Sequence, residues 1–288
     1  MSSFVCVKMH LSIITINRNN SMGLEKTMRS VASQTYKEFE YIVIDGASTD
    51  SSVAVIKSHE SEFSHLKWVT ESDKGIYNAM NKGLRMAKGE YVQILNSGDV
   101  LASADVVERM MKALDDKGNP DILYGNMIKA FADGSRVRDC GFEGEVPTMY
   151  GFIHGTLNHD PVYIRRSLFD KFGFYREDLP ITADWRWYVE AIPFGGVVPE
   201  YVNIDVTIFD MNGISETQIE RREKERDEEL RRILPIGVYQ DYRTYYFPIE
   251  QVRRLQRFPL AYKLFYFIER VLFKLEKREK RQQTWYKQ

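Results

Sequence analysis

The chain has 288 residues, of which 43% are hydrophobic and 28% charged, a composition typical of globular proteins. Its 40 Lys and Arg residues are balanced by 41 Asp and Glu residues, and the net charge of −1 argues against a generally basic nucleic-acid-binding protein. The two cysteines, Cys6 and Cys140, exclude a disulfide framework and a cysteine-based zinc site.

The N-terminus lacks the basic segment and apolar run of a signal peptide, and the sequence contains no run of about 18 apolar residues. We therefore expect a cytoplasmic protein without a membrane span. The charge is unevenly distributed, because residues 253–288 contain eleven basic and three acidic residues, a net charge of +8. The remaining residues then carry a net charge of −9.

Four short apolar runs in the first hundred residues predict β-strands at 11–16, 41–45, 65–70 and 90–95. Between them, apolar residues at helical spacing predict helices over 24–32, 51–57 and 76–87. Strands and helices that alternate in this way predict βαβ units and a doubly wound, parallel sheet.

Beyond residue 100 the alternation is less regular. Helices are predicted over 103–114, 168–172 and 181–192, and strands over 121–128, 161–166 and 201–209. Residues 133–155 are punctuated by Gly and Pro and predict an irregular stretch. The charge run at 219–233 predicts a solvated helix with i,i+4 ion pairs.

The first four predicted strands all end in small or polar residues. These ends are Asn17–Asn20, Gly46–Asp50, Glu71–Gly75 and Asn96–Asp99, and three of them contain carboxylates. Because ligands of open α/β sheets bind beyond the carboxyl ends of the strands, the four ends predict one shared polar site.

The glycine-rich cradles that bind phosphates in other α/β proteins are missing. G-x-G-x-x-G does not follow the first strand and the P-loop pattern occurs nowhere, which argues against a Rossmann dehydrogenase and a P-loop NTPase. A bound diphosphate would then need a divalent cation held by carboxylates. Asp99, on a tight turn after the fourth strand, is the expected ligand of Mg²⁺ or Mn²⁺.

Six stretches between about residues 10 and 215 carry a family resemblance: LSIITINRN, SQTYKEFEYIVIDGASTDSS, ESDKGIYNAMNKGLRMAKGEYVQILNSGDVL, HDPVYIRRSLF, ITADWRWYV and FDMNGIS. With them the chain resembles a family 2 glycosyltransferase of the GT-A fold, of the bacterial surface-polysaccharide type. The resemblance implies an α/β fold with a mixed, mostly parallel sheet and helices on both faces. We expect a catalytic domain over 1–218, with its nucleotide half to about residue 100 and its acceptor half after it, and a helical C-terminal extension over 219–288.

The resemblance also implies a role for individual residues. Asp99 is the implied metal ligand and Asp184 the implied catalytic base, while Asp45 recognises the base of the nucleotide, usually uracil. The implied nucleotide-binding residues are Thr15, Asn17, Asp45, Asp73, Lys74 and Asn96, and those on the acceptor side are His159, Trp185, Arg186 and Trp187.

Two positions depart from the family pattern. Gly98 stands where the metal motif often has a second carboxylate, which leaves Asp99 as the one direct ligand. Arg186 stands where a second aspartate commonly follows the base, and it would either pair with Asp184 or bind a phosphate or an acidic sugar.

The same residue types also have structural explanations. Turn closure accounts for Asp45 and Asp99, core packing for the two tryptophans, and a polar network for His159. His154 and His159 are further candidates for metal ligands.

The implied activity is an inverting transfer from a nucleotide-diphospho-sugar, with a UDP-sugar expected, to a hydroxyl of a saccharide or polyprenyl-linked acceptor in cell-surface polysaccharide synthesis. The thinned metal motif leaves an alternative, a sugar-nucleotide-binding protein of the same fold that has lost its chemistry. A nucleotidyltransferase also uses carboxylates and Mg²⁺, but the first strand is not followed by the glycine-rich loop expected of one.

The last predicted helix mixes apolar residues at helical spacing, from Leu260 to Leu275, with Lys and Arg. Such a helix packs on its own domain or on a second copy of the chain, or it lies on an anionic membrane surface. The membrane alternative would place the protein at the inner face of the membrane.

Overall fold

A computed structural model of the chain describes residues 10–131, 133–210 and 218–285, with side chains described except at 210, 246–247 and 278–285. Cys6, residues 211–215 of the FDMNGIS stretch and the last basic side chains lie outside this description. The chain divides into two compact units, Met1–Glu229 and Leu230–Gln288. The predicted domain boundary at 218/219 stays a prediction.

The first half of the first unit alternates strands and helices as the sequence predicts. The elements are β1 Leu11–Asn17, α1 Ser21–Ala32, β2 Phe39–Asp45, α2 Ser52–His59, β3 Leu66–Thr70, α3 Ile76–Met86 and β4 Tyr91–Ile94. Every residue of β1, β2 and β4 is buried, as expected for strands covered on both faces.

The second half adds shorter elements. These are β5 Val100–Leu101, α4 Val106–Asp116, β6 Ile122–Ala130, β7 Arg136–Asp139, α5 Met149–His154, β8 Val162–Arg165, α6 Ser167–Phe172, α7 Ala183–Val189 and β9 Glu200–Asp210. The irregular stretch predicted over 133–155 is therefore partly wrong, because it contains β7 and α5. The β7 strand is mostly exposed and contains a single apolar residue, Val137. Its pairing with β6 therefore leaves no repeated apolar pattern in the sequence that would predict a strand.

These strands form one sheet of nine strands, in the order β3-β2-β1-β4-β8-β6-β9-β5, with β7 paired to β6. β1 pairs in parallel with β2 and β4, and β2 with β3, whereas β8 runs antiparallel to both β4 and β6. The sheet is thus mixed and mostly parallel in its first half, which confirms the predicted fold class.

Helices cover both faces of β1. Leu11 and Ile13 point to the face covered by α1, where they join a buried cluster with Leu24 and Met28. On the opposite face α3 approaches so closely that a Cβ at Gly83 would lie 2.4 Å from Ile14 Cγ2. The alternation of side chains along a strand thus gives each helix its own apolar surface on β1.

Three helices follow the sheet: α8 Ile219–Ile233, α9 Ile236–Gln256 and α10 Pro259–Trp285. The division between the two compact units falls inside α8. The predicted helical C-terminal extension is confirmed. Within the described part of the chain, the helices are all too short or too polar to cross a membrane.

Candidate active site

A cleft of about 520 Å³ opens beyond the carboxyl ends of β1 and β4. It is large enough for a small-molecule ligand and combines apolar walls with convergent polar groups. The predicted site residues that line it are Asn17, Asp73, Asn96, Asp99, His159 and Asp184. The polar ends of three predicted strands therefore do meet at one site, together with Asp184 from far along the chain.

The end of β2 lies behind this cleft, and the sheet register explains how. Asn17 is paired with Asp45 across β1 and β2, and Asp45 with Thr70 across β2 and β3. Asn17 Nδ2 donates to Asp45 Oδ1 at 2.9 Å, and Thr70 Oγ1 donates to Oδ2 at 2.7 Å. Three strands are thus tied together where they end.

Asp45 is fully buried and does not line the cleft. Besides Asn17 and Thr70, the backbone N–H and the hydroxyl of Ser48 donate to it, at 2.9 and 2.6 Å, so that its four acceptor positions are all used. Burial raises the pKa of Asp45, but these hydrogen bonds outweigh it and hold the pKa below its usual value. A nucleotide base would have to displace the Ser48 or Thr70 hydroxyl to reach this carboxylate.

Two other predicted nucleotide-binding residues also stay outside the cleft lining. Thr15 is fully buried, and its hydroxyl accepts a hydrogen bond from Tyr41 at 2.9 Å. Lys74 is exposed on the loop before α3, where its backbone N–H donates to Asn78 Oδ1. Neither side chain faces a ligand in the cleft as the structure stands.

Asp73 is the carboxylate that the loop after β3 brings to the cleft. Its Oδ1 accepts from the backbone N–H of Gly75 at 3.0 Å. Its Oδ2 lies so close to the end of β2 that a Cβ added at Gly46 would be 2.2 Å away. The absence of a side chain at Gly46 thus makes the space that Asp73 occupies.

The Thr27 hydroxyl of α1 binds the turn from Asn96 to Asp99 at two positions. Thr27 Oγ1 donates to the carbonyl of Asp99 at 2.7 Å and accepts from the N–H of Gly98 at 2.9 Å. Gly98 has φ +111°, a conformation that residues with side chains rarely adopt. The sequence departure at this position therefore has a physical reason, since a carboxylate here would need a strained backbone.

Asp99 is 4% exposed and lines the cleft, where it is the predicted metal ligand. Over residues 10–131, 133–210 and 218–285, no three or more His, Cys, Asp or Glu side chains are grouped to hold a metal ion, including His154 and His159. Mg²⁺ is commonly bound by one or two carboxylates together with substrate phosphates. The donor set fits a cation that the substrate shares, and not a cage built by the protein alone.

His159 lies among the acidic groups of the cleft. Its Nε2 is 2.8 Å from Asp160 Oδ1 and 2.7 Å from the Asn96 amide, and its Nδ1 is 3.8 Å from Asp184 Oδ2. Burial lowers the pKa of His159, but the Asp160 carboxylate, with Asp184 and Asp99, outweighs it and raises the pKa to about 9. The surrounding carboxylates therefore favour the protonated form of the His159 ring.

Asp184 lies in the first turn of α7, and its side chain is 18% exposed to the cleft. Its Oδ1 is 2.7 Å from the hydroxyl of Tyr77, which also lies 2.7 Å from the carbonyl of Ile181. Burial and the Asp184 charge raise the pKa of Tyr77 well above its usual value, so the phenol keeps its proton. Asp184 Oδ1 and the Ile181 carbonyl are both acceptors for this one proton. Tyr77 is a site residue that the sequence analysis missed, because it lies on α3, 107 residues away.

The two tryptophans next to Asp184 belong to the core. Trp185 and Trp187 are 1% and 3% exposed, and their indole N–H groups donate to the carbonyls of Phe152 and Gly173. The predicted acceptor-side placement of these two residues is therefore wrong, and core packing is correct. Buried indoles that already have backbone partners offer no face to a sugar.

Arg186 also points away from the cleft. Its guanidinium binds Glu229 at 3.2 Å through Nε and Glu190 at 3.0 Å through Nη1. The acceptor-side prediction and the predicted pairing with Asp184 are both wrong, because these two carboxylates neutralise the arginine instead. The charge run at 219–233 forms the predicted helix, α8, and has an exposed i,i+4 ion pair between Lys224 and Glu228. It is not solvated all round, however, because Glu229 is buried.

Comparison with known proteins identifies the family of the chain. The family model described as "Glycosyl transferase family 2" matches residues 12–170, more than half of the chain. The chain belongs to glycosyltransferase family 2. The matched range contains the ends of β1 to β4 and His159, and it stops before α7 and α8.

Named relatives are glycosyltransferases as well. An uncharacterized glycosyltransferase of Mycobacterium tuberculosis is 34% identical over 210 residues, which is 71% of this chain and 76% of the relative. A PGL/p-HBAD biosynthesis glycosyltransferase of Mycobacterium bovis is 25% identical over 73% of this chain and 80% of its own length. The chain is therefore a glycosyltransferase.

Solved structures share the fold of this glycosyltransferase. TarS 1-349 of S. aureus in complex with UDP-GlcNAc has a TM-score of 0.63 at 19% identity, over 81% of this chain and 70% of TarS 1-349. The mannosyltransferase PcManGT of Pyrobaculum calidifontis, in complex with GDP-Man and Mn²⁺, has a TM-score of 0.62 at 18% identity, over 83% and 70% of the two chains. These likenesses confirm the predicted GT-A architecture.

Proposed function

We propose that this glycosyltransferase moves a sugar from a nucleotide-diphospho-sugar to an acceptor hydroxyl with inversion at the anomeric carbon, and that Asp184 is the catalytic base. The observation that carries the proposal is the position of Asp184. It faces the same cleft as Asp73 and Asp99, across from the strand ends where a nucleotide binds in open α/β folds.

In the proposed reaction the acceptor hydroxyl attacks C1 of the donor sugar, and Asp184 takes the proton of that hydroxyl. The bond from C1 to the diphosphate oxygen breaks, and the nucleoside diphosphate leaves with the bonding electrons. Tyr77 contacts Oδ1 of the base, whereas Oδ2 lies 3.8 Å from Nδ1 of His159, another residue of the cleft. A well-placed general base of this kind contributes on the order of 10² to 10⁴ in rate.

A divalent cation, Mg²⁺ or Mn²⁺, fits the site as a partner of Asp99. When bound, it would neutralise the charge that develops on the leaving diphosphate. Asp99 would hold it with one carboxylate, and the substrate phosphates would supply further ligands. The complex of PcManGT with Mn²⁺ supports the use of a divalent cation by this fold.

For the donor we propose a UDP-sugar. TarS binds UDP-GlcNAc and PcManGT binds GDP-Man, so nucleotide-diphospho-sugars are the donors of the fold neighbours. Asn17 and Asp73 line the cleft, and in this proposal they contact the nucleotide. Asp45 recognises uracil in this proposal after the Ser48 or Thr70 hydroxyl has turned away from it.

For the acceptor we propose a saccharide or a polyprenyl-linked saccharide, in cell-surface glycan synthesis. The M. bovis relative is named for PGL/p-HBAD biosynthesis, and a relative with such a biosynthetic role supports this proposal. His159 is the acceptor-side residue whose placement in the cleft supports this role.

The test is a screen of UDP-sugars and GDP-sugars with Mn²⁺, with donor hydrolysis and transfer to saccharide acceptors as readouts. We expect turnover with a UDP-sugar and its loss when EDTA removes the cation. Turnover with GDP-sugars alone would contradict the donor proposal. Donor binding without turnover toward any acceptor would support the alternative of a binding protein that has lost its chemistry.

We also propose that α10 lies on the anionic inner face of the membrane. Its apolar stripe is exposed in the second unit, and Leu260 is 84% exposed. A basic row at a spacing of seven residues, close to two helical turns, flanks this stripe, as is typical of interfacial helices. The row consists of Lys263, Arg270 and Lys277, and the stripe includes Leu260, Leu264, Phe267 and Val271.

Sedimentation of the full chain with lipid vesicles tests this membrane proposal. We expect binding to vesicles that contain phosphatidylglycerol, weak binding to phosphatidylcholine alone, and loss of binding in a Lys263→Glu/Arg270→Glu variant. A stable dimer that binds neither kind of vesicle would indicate self-association through α10 instead and would overturn the proposal.

A further inference from the structure

The first part of α8 contacts α7, the helix that carries Asp184, and the segment just before it. α8 follows the end of the family match by almost fifty residues and is a dense run of charged residues. Three of these residues, Glu225, Arg226 and Glu229, contact α7 or the segment just before it. All of them belong to the same compact unit as the cleft.

Glu225 binds the residues at which α7 begins. Its Oε1 accepts from the backbone N–H of Ile181 at 3.1 Å, from the N–H of Thr182 at 2.8 Å and from Thr182 Oγ1 at 2.6 Å. Thr182 is the N-cap residue of α7, and its own hydroxyl makes no capping bond to the helix. One carboxylate on α8 therefore fixes the two residues before the turn that contains Asp184.

The next turn of α8 adds a second attachment. Glu229 Oε2 accepts from Arg186 Nε at 3.2 Å and from Arg176 Nη1 at 2.7 Å, and Glu229 is 6% exposed. Because Glu225 and Glu229 are four residues apart, they share one face of α8. That face holds α7 both before and after Asp184.

Between these two carboxylates, the Arg226 guanidinium lies over the Trp185 ring at 5.4 Å. Its Nε is buried and has no hydrogen-bond partner within the part of the chain that the structure describes. The arginine therefore contributes contact with the buried indole next to Asp184, an arrangement that resists movement of α7 relative to α8.

We propose that Glu225 is a positioning residue for Asp184: it sets the position of the proposed base from α8 without touching substrate. The inference rests on the proposed role of Asp184 and adds a requirement from outside the matched family segment. The carboxylate of Asp184 must stay within reach of the acceptor hydroxyl, and displacement of a reacting group by about 1 Å can cost on the order of 100-fold in rate.

The test compares Glu225→Ala, Glu225→Gln and the matched control Glu228→Gln in the full chain. Glu228 lies on the same helix, and its side chain is 65% exposed and lies 3.8 Å from Lys224 Nζ. We expect Glu225→Ala to lower kcat by about 10- to 100-fold with little change in donor KM or nucleotide affinity. Glu225→Gln keeps an acceptor oxygen at the same place and should recover most of kcat, and Glu228→Gln should equal the parent protein.

Combination with Asp184→Asn separates the two proposals. If Glu225 acts through Asp184, Glu225→Ala should cause no further loss in the Asp184→Asn background. Loss of activity in Asp184→Asn together with normal kcat in Glu225→Ala would overturn the positioning role alone. Normal activity in Asp184→Asn would overturn the proposed base, and the positioning role with it.

If Glu225→Ala yields no folded protein, Thr182→Val provides the same test. This variant removes one of the three donors to Glu225 and keeps both backbone bonds. We expect a smaller fall in kcat at unchanged donor KM. Parent-like kcat in folded Thr182→Val and Glu225→Gln would overturn the proposal.

Discussion

The hydrogen bond from Tyr77 to Asp184 allows a quantitative test of how the proposed base is oriented. In Tyr77→Phe the ring remains and only the hydroxyl, 2.7 Å from Asp184 Oδ1, is lost. A hydrogen bond to a charged group is worth about 1.5–3 kcal/mol. The carboxylate would then be free to turn toward the His159 ring, whose Nδ1 is already 3.8 Å from Oδ2.

If this orientation is needed in the transition state, a loss of about 1.5–3 kcal/mol corresponds to about a 10- to 100-fold fall in kcat. Donor KM should stay close to that of the parent protein, since Tyr77 acts on the base. Initial rates of transfer at saturating donor, with thermal unfolding measured in parallel, provide the assay.

Tyr188→Phe is the matched control. Tyr188 lies on α7 beside Asp184, and it is fully buried with a hydroxyl that lacks a hydrogen-bond partner within the described residues. Loss of this hydroxyl in Tyr188→Phe should leave kcat unchanged. If Tyr77→Phe and Tyr188→Phe had equal kcat values, the inferred orientation of Asp184 by Tyr77 would be wrong.

Three further predictions concern the strand ends and the sheet. Gly46→Ala should displace the Asp73 carboxylate, because the new Cβ would lie 2.2 Å from its Oδ2. We expect a folded protein with a donor KM raised about tenfold, equivalent to about 1.4 kcal/mol. A donor KM equal to that of the parent protein would argue against a donor contact by Asp73. Gly98→Asp introduces a second carboxylate at a backbone φ of +111° and should lower the free energy of unfolding, measured by urea titration, by about 1–3 kcal/mol. A variant as stable as the parent protein with tighter Mn²⁺ binding would contradict the inferred backbone strain. Burial raises the pKa of Glu40, but hydrogen bonds from Lys67 and neighbouring groups outweigh it and lower the pKa below its usual 4.5. The stability that Glu40 contributes is therefore present above pH 4.5 and is lost as the pH falls through the pKa of Glu40 in the folded protein. The acid dependence of the urea midpoint should therefore be weaker in Glu40→Gln, and an unchanged dependence would refute this assignment.

The alternation of strands and helices in the first hundred residues was predictable, because each strand is a short, mainly apolar run between polar turns. The shared cleft was predictable from the same pattern, since parallel strands such as β1 and β4 present their carboxyl ends at one edge. The burial of Asp45 was not predictable. It depends on the register that places Asn17 and Thr70 on either side of that carboxylate.

Long-range contacts account for the other differences. Glu225 and Glu229 look like surface residues in a charge run, because their partners Thr182 and Arg186 lie more than forty residues away in sequence. The sequence of this charge run would be equally compatible with a helix that is fully exposed to solvent. Local periodicity reports which face of a helix is apolar, but it does not report which charged residues find buried partners.

The central claim is that Asp184 takes the proton from the acceptor, and Asp184→Asn tests it most directly. The measurement is the rate of sugar transfer at saturating donor, with nucleotide binding determined on the same preparation. We expect a fall of about 10²- to 10⁴-fold in transfer while nucleotide binding and thermal unfolding stay near those of the parent protein. A folded Asp184→Asn variant that transfers sugar at the parent rate would contradict it.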